Sequence, residues 1–193
     1  MKLYKKFWRF MKTIANKFES FRPLMNEWEY KLIEKHLEPN DILLEWGSGN
    51  STLYWSGIVS KVISIEHDID WINDLGNVID AYNVKNVELH HIPAHSPDPI
   101  PCRYEQFKDY INYPKEKGLK FTKILIDGRA RKYCAKSIWE VIDENVIIFI
   151  HDFNRPDYQM TLKYYDLFDV DWRGQGIAAL KKKKDIIDDG SYY

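Results

Sequence analysis

Five short runs of Ile, Val and Leu, each followed by a stretch long enough for a helix, constrain this chain more than any other feature. The runs fall at residues 42–46, 62–66, 87–92, 122–127 and 146–150. They are continuous rather than alternating, the pattern of strands buried on both faces of a parallel sheet. Parallel neighbours need crossovers, and the intervening stretches supply them. Later runs at 165–170 and 177–180 read as a closing antiparallel pair. The expectation is an α/β fold: a Rossmann-like, doubly wound, mostly parallel sheet with a closing antiparallel hairpin. The 193 residues fit one domain, and 45% hydrophobic content is enough for a substantial core.

The flanks read differently. Residues 1–38 form an N-terminal helical segment, 39–181 the domain proper and 182–193 a polar tail. Leu3, Phe7, Phe10, Ile14, Phe18 and Phe21 recur at spacings of three and four, one stripe of an amphipathic helix among scattered lysines. A second helix is expected over 24–37, between Pro23 and Pro39. The stripe must be covered. Packing on its own domain or on a second copy in a homo-oligomer is the favoured reading, and a membrane-surface helix is the rival. Residues 93–120 carry five prolines and read as a long loop.

Composition excludes several classes. The net charge of −1 gives no global reason to expect a nucleic-acid partner. No apolar run is long enough to span a membrane, and no secretory signal is evident. Cys102 and Cys134 lack metal-type spacing and read as reduced thiols, so the expected compartment is cytoplasmic.

The first strand runs into Glu45-Trp46-Gly47-Ser48-Gly49-Asn50-Ser51-Thr52. Gly47 and Gly49 permit a tight turn and close approach of backbone to a ligand. A helix from about Thr52 would aim its first amides there. About twenty residues on, the second strand ends in Glu66, placed to accept hydrogen bonds from both ribose hydroxyls of an adenosine. The dinucleotide fingerprint wants a third glycine where Thr52 stands. Glu45 would repel a pyrophosphate but attract the amino group of a methionine moiety. The pattern therefore favours S-adenosylmethionine over NAD.

With these residues the chain resembles the class I S-adenosylmethionine-dependent methyltransferases, over about residues 37–180. The stretches that carry the likeness are the glycine motif, Ile65-Glu66, Ile126-Asp127-Gly128-Arg129 and Ile150-His151-Asp152-Phe153. The resemblance implies cofactor contacts from Glu45, Gly47, Ser48, Gly49, Ser51, Thr52, Glu66 and Asp127. It also puts the adenine edge after the third strand, at residues 94–96, where His95 is the candidate.

Asp127, His151 and Asp152 are the candidate catalytic residues. They end the fourth and fifth strands, at the edge where doubly wound sheets bind ligands. Transfer to a hydroxyl needs a base or a metal, and these groups offer either. Some small-molecule and sugar O-methyltransferases of this fold hold magnesium with acidic residues at these positions. Asp127 and Asp152 are the corresponding ligands, for Mg²⁺ or Mn²⁺, although His151 replaces the first acid of an Asp-Asp pair. Each has a plainer reading: Asp127 starting a turn, His151 a hydrogen-bonded core histidine, Asp152 capping a helix. Arg129, Arg131 and Arg155 suit an anionic group or plain solvation. The sequence thus points to methyl transfer onto a hydroxyl of a small molecule or glycan. An N-methyltransferase acting on a protein or small amine is one rival, and a non-catalytic cofactor-binding scaffold another.

Overall fold

The strand runs fold into one seven-stranded sheet in a computed structural model that describes residues 21–96, 102–184 and 186. In chain order the strands are β1 (Ile42–Trp46), β2 (Lys61–Glu66), β3 (Val87–His91), β4 (Lys123–Ile126), β5 (Ile147–His151), β6 (Tyr165–Asp171) and β7 (Ile177–Lys182). The spatial order is β3-β2-β1-β4-β5-β7-β6. The first five strands are parallel, and β7 runs antiparallel to both β5 and β6. This is the expected Rossmann-like α/β domain.

Helices α1 (Glu27–Glu34), α2 (Asn50–Ser56), α3 (Ile69–Ala81), α4 (Lys108–Glu116), α5 (Arg131–Trp139) and α6 (Pro156–Gln159) cover the sheet. On one face Leu44, Trp46, Ile126 and Ile150 pack with Phe107, Tyr110 and Cys134. On the other, Leu43, Leu125 and Phe149 pack with Tyr30, Ile33 and Trp55. The central strands are buried on both faces, as their composition implies. The outer strand β3 is half-buried throughout, because an edge strand has a neighbour on one side only.

Several expected boundaries shift. The second helix is shorter than 24–37, because Asn26 caps it and Glu29 reaches back to the Asn26 N–H at 2.7 Å. The proline-rich stretch is not all loop: it contains α4, with Pro114 inside it. Proline has no N–H to offer the carbonyl four residues back. Here that carbonyl, of Tyr110, accepts from Trp46 Nε1 at 3.0 Å, tying α4 to β1. Strand β7 runs one residue past the expected domain boundary and takes in Lys182, the first residue of the expected tail. Leu3, Phe7, Phe10, Ile14 and Phe18 lie outside the described residues, and Phe21 packs edge-on against Tyr82. Among the described residues, no helix is long and apolar enough to cross a membrane.

Candidate active site

Strand register builds the site. Trp46 pairs with Ile65 on one side and Ile126 on the other, and Ile126 pairs with Ile150. Gly47, Glu66, Asp127 and His151 are the next residues on those four strands, so they emerge at one level of the carboxyl edge. The order reverses between β2-β1 and β4-β5, the place where such sheets leave a crevice.

The glycine turn forms one wall. Gly47 has φ +97°, and a Cβ there would lie 2.6 Å from Gly128 N. The close approach Gly47 allows is thus to another backbone, the turn after β4. Ser48 N–H donates to Glu66 Oε2 at 3.1 Å, joining the turn to the end of β2. Helix α2 starts at Asn50, two residues before the expected Thr52.

Glu45 sits beneath this turn and is fully buried. Ser51 Oγ donates to its Oε1 at 2.5 Å, Thr52 Oγ1 to its Oε2 at 2.5 Å and Ser64 Oγ to its Oε2 at 2.8 Å. Burial pushes its carboxyl up to about 7, although these three bonds act the other way. Neither Glu45 nor Thr52 lines the cleft: both hold the turn from below.

The cleft itself has a volume of about 250 Å³ and is lined by Gly47, Ser48, Gly49, Ser51, Glu66 and Asp127 among others. It therefore brings together six of the expected cofactor residues. His95 is not among them. It is exposed, its Nε2 lies 3.2 Å from Asp109 Oδ2, and its N–H donates to Gln106 O. Three lining residues escaped the sequence reading: Leu24, His67 and Trp71. Trp71, on α3, donates from Nε1 to Ser48 O at 2.5 Å and packs over Gly49. An aromatic one helical turn into the element after Glu66 was the available signal.

Glu66 accepts from the His67 N–H at 2.7 Å and the Asp68 N–H at 3.0 Å, and the His67 ring lies against it. Burial tends to raise its pKa. The His67 side chain and the two amides outweigh that and hold the carboxyl below the usual carboxylate range.

Asp127, His151 and Asp152 do converge, with Arg131 at their centre. His151 Nδ1 lies 2.8 Å from Asp127 Oδ1, and its buried Nε2 is 3.4 Å from Glu29 Oε2. Arg131 Nη2 lies 3.1 Å from Asp127 Oδ1, and Nη1 3.3 Å from Asp152 Oδ2. Nη1 also donates to His151 O at 2.7 Å and Nε to Gly128 O at 2.9 Å. Burial disfavours the charged imidazole of His151. The Asp127 hydrogen bond and charge prevail, however, and raise its pKa above the ordinary value. Asp152, at φ +61°, is buried and paired with Arg131 and Arg155; it caps no helix. Glu29, fully buried on α1, was legible in the sequence only as half of a capping box.

This arrangement does not fit the expected metal. The Arg131 guanidinium occupies the space between Asp127 and Asp152, supplying the positive charge an ion would bring. Among the described residues no group of three or more His, Cys, Asp or Glu side chains is arranged to hold one.

No family model matches the chain, and no curated protein does. Solved structures do. A methyltransferase-like protein from Silicibacter pomeroyi superposes with a TM-score of 0.68 at 23% identity, covering 88% of this chain and 92% of that one. An rRNA methylase from Streptococcus thermophilus gives 0.57 at 11% identity, covering 84% and 100%. The SMU.1697c protein of Streptococcus mutans, in complex with SAH, gives 0.55 at 12%, covering 82% and 100%. At these identities the likeness is one of fold. The chain has the Rossmann-like architecture these proteins share.

Proposed function

We propose that this protein is an S-adenosylmethionine-dependent methyltransferase acting on a hydroxyl of a small molecule or glycan. The observation that carries the reading is the cleft, where the glycine turn, the Glu66 carboxylate and Asp127 share one level of the carboxyl edge. Gly47, Ser48 and Gly49 would hold the methionine portion and Glu66 the ribose hydroxyls. Trp71 would close over the turn. When bound, the cofactor supplies an electrophilic methyl group and a neutral thioether leaving group.

A neutral hydroxyl is a weak nucleophile, so the chain must take its proton. Asp127 lines the cleft with a partly exposed carboxylate, whereas His151 is buried and borders a separate cavity beside Glu29. Asp127 is therefore the base in this reading, and His151 and Arg131 fix its orientation through Oδ1. Asp152 acts at one remove, by holding Arg131. Calorimetry with S-adenosylmethionine, followed by detection of S-adenosylhomocysteine over a panel of hydroxylated acceptors, tests the reading. Micromolar cofactor binding and acceptor-dependent product are expected. Absence of cofactor binding by the folded protein would overturn it.

A further inference from the structure

A second, larger cavity adjoins the cleft, and its chemistry is distinct. It has a volume of about 820 Å³ and is lined by Arg103, Arg129, Arg131, Lys132 and Arg155, with Asp157 the one lining carboxylate among the described residues. Arg129 and Arg131 line both spaces, so the two meet at the Asp127 cluster. Three of the five cations are matched: Arg131 with Asp127 and Asp152, Arg155 with Asp152, and Lys132 with Asp157. Arg103 and Arg129 are exposed, and neither side chain has a carboxylate partner among the described residues.

The matched arginines are also held in place. The Arg131 and Arg155 guanidinium carbons lie 5.4 and 5.6 Å from the Tyr158 ring centroid. Such stacking orients the planar fork that recognises phosphate or carboxylate. Concentrating cations in one concavity focuses the field there and draws in anions. This happens in a chain whose net charge is −1, so the positive character is local rather than spread over a face.

We propose that this cavity is the acceptor site and takes a small molecule or sugar that carries a phosphate or carboxylate group beside its reactive hydroxyl. The proposal rests on the methyltransferase reading of the adjoining cleft. Arg103 and Arg129 engage the anion, Tyr158 and Tyr133 flank the body of the ligand, and Arg131 marks the boundary with Asp127. Confinement to a cavity favours a small anion over a nucleic-acid strand, which needs an extended basic track.

The test is calorimetric titration of the full chain with mannose 6-phosphate, with neutral mannose, and with a short oligoribonucleotide. Arg103→Gln/Lys132→Gln is the companion variant, since both residues line the basic cavity and neither lines the cofactor cleft. Expected are measurable binding of the sugar phosphate but not of mannose, weakening with salt, and a loss of about tenfold or more in the variant. The variant keeps its affinity for S-adenosylmethionine. Equal binding of mannose and its phosphate, or undiminished phosphate binding in a folded variant, would overturn the acceptor assignment. Oligoribonucleotide binding far tighter than that of the sugar phosphate would replace it with an RNA acceptor. S-adenosylmethionine binding is measured separately, so failure there with sugar-phosphate binding intact counts against the methyltransferase reading and not against the anion site.

Discussion

Gly47 and Gly128 stand backbone against backbone: a Cβ on Gly47 would lie 2.6 Å from Gly128 N, and one on Gly128 would lie 2.8 Å from Gly47 N and 2.1 Å from Tyr110 Oη. The turn after β1 and the turn after β4 therefore fit together only without side chains. Each strand end fixes the position of the other.

Gly47→Ala should consequently destabilise the fold as well as the cleft. The positive φ and the forced shift of Gly128 together cost about 2–4 kcal/mol. Urea unfolding reads this directly, and an unchanged midpoint would show that the two turns can separate freely.

Glu66→Gln should weaken S-adenosylmethionine binding by about 1.5–3 kcal/mol, through loss of charge-assisted bonds to the ribose. Gln keeps an acceptor oxygen for the amides of His67 and Asp68 and gives up the bond from the Ser48 N–H, so folding should survive with a small loss of stability. Wild-type affinity in the folded variant would remove Glu66 from the cofactor site.

Asp127→Asn should lower turnover by roughly a hundredfold or more, with cofactor affinity changed only a few-fold. His151→Ala should reduce turnover less, because His151 works through Asp127 rather than on the acceptor. If His151→Ala proved the more damaging of the two, the assignment of base and positioning residue would be reversed.

Chelation should leave activity intact, because Arg131 carries the charge between Asp127 and Asp152. Turnover measured before and after exhaustive EDTA treatment checks this. Loss of activity restored by Mn²⁺ or Mg²⁺ would require Arg131 to swing aside for an ion.

Stability should fall between about pH 5.5 and about pH 8. The Glu45 pKa is raised by burial from 4.5 to about 7, so its ionisation opposes folding above 4.5, fully so above about 7. His151, raised above 6.5, contributes stability that is complete below 6.5 and lost as pH rises through its folded value. Glu66 has the opposite sign: its contribution is present above 4.5 and is lost only in more acid solution. The Glu45 part of the fall within this window corresponds to roughly 2 kcal/mol. Denaturant unfolding of Glu45→Gln at both pH values should show a visibly smaller fall than wild type; an identical fall would place the effect elsewhere.

The strands were legible in the sequence because central strands are apolar on both faces and little else is. The turn residues followed from their position after β1. What the sequence could not supply was depth. Glu45 and Ser51 are six residues apart, yet the first lies under the turn and the second on the cleft wall. That difference comes from the face of β1 on which Glu45 falls. His95 read as an adenine contact from its place after β3, but its imidazole lies against Asp109 at the start of α4. Helix α4 was hidden by prolines that signal loops on average, though Pro114 sits in its last turn. Glu29 and Trp71 reach the site from elements whose docking no local pattern specifies.

Pro114 has one more consequence. The carbonyl it leaves unclaimed in α4 accepts from Trp46, the residue immediately before Gly47, and the hydroxyl of the same Tyr110 stands against Gly128. A gap in one helix's ladder has become a mechanical joint. Tyr110 grips both halves of the paired turns at once, so any shift of α4 is transmitted to the floor of the cleft, and α4 acts on the glycine turn as a lever on its fulcrum.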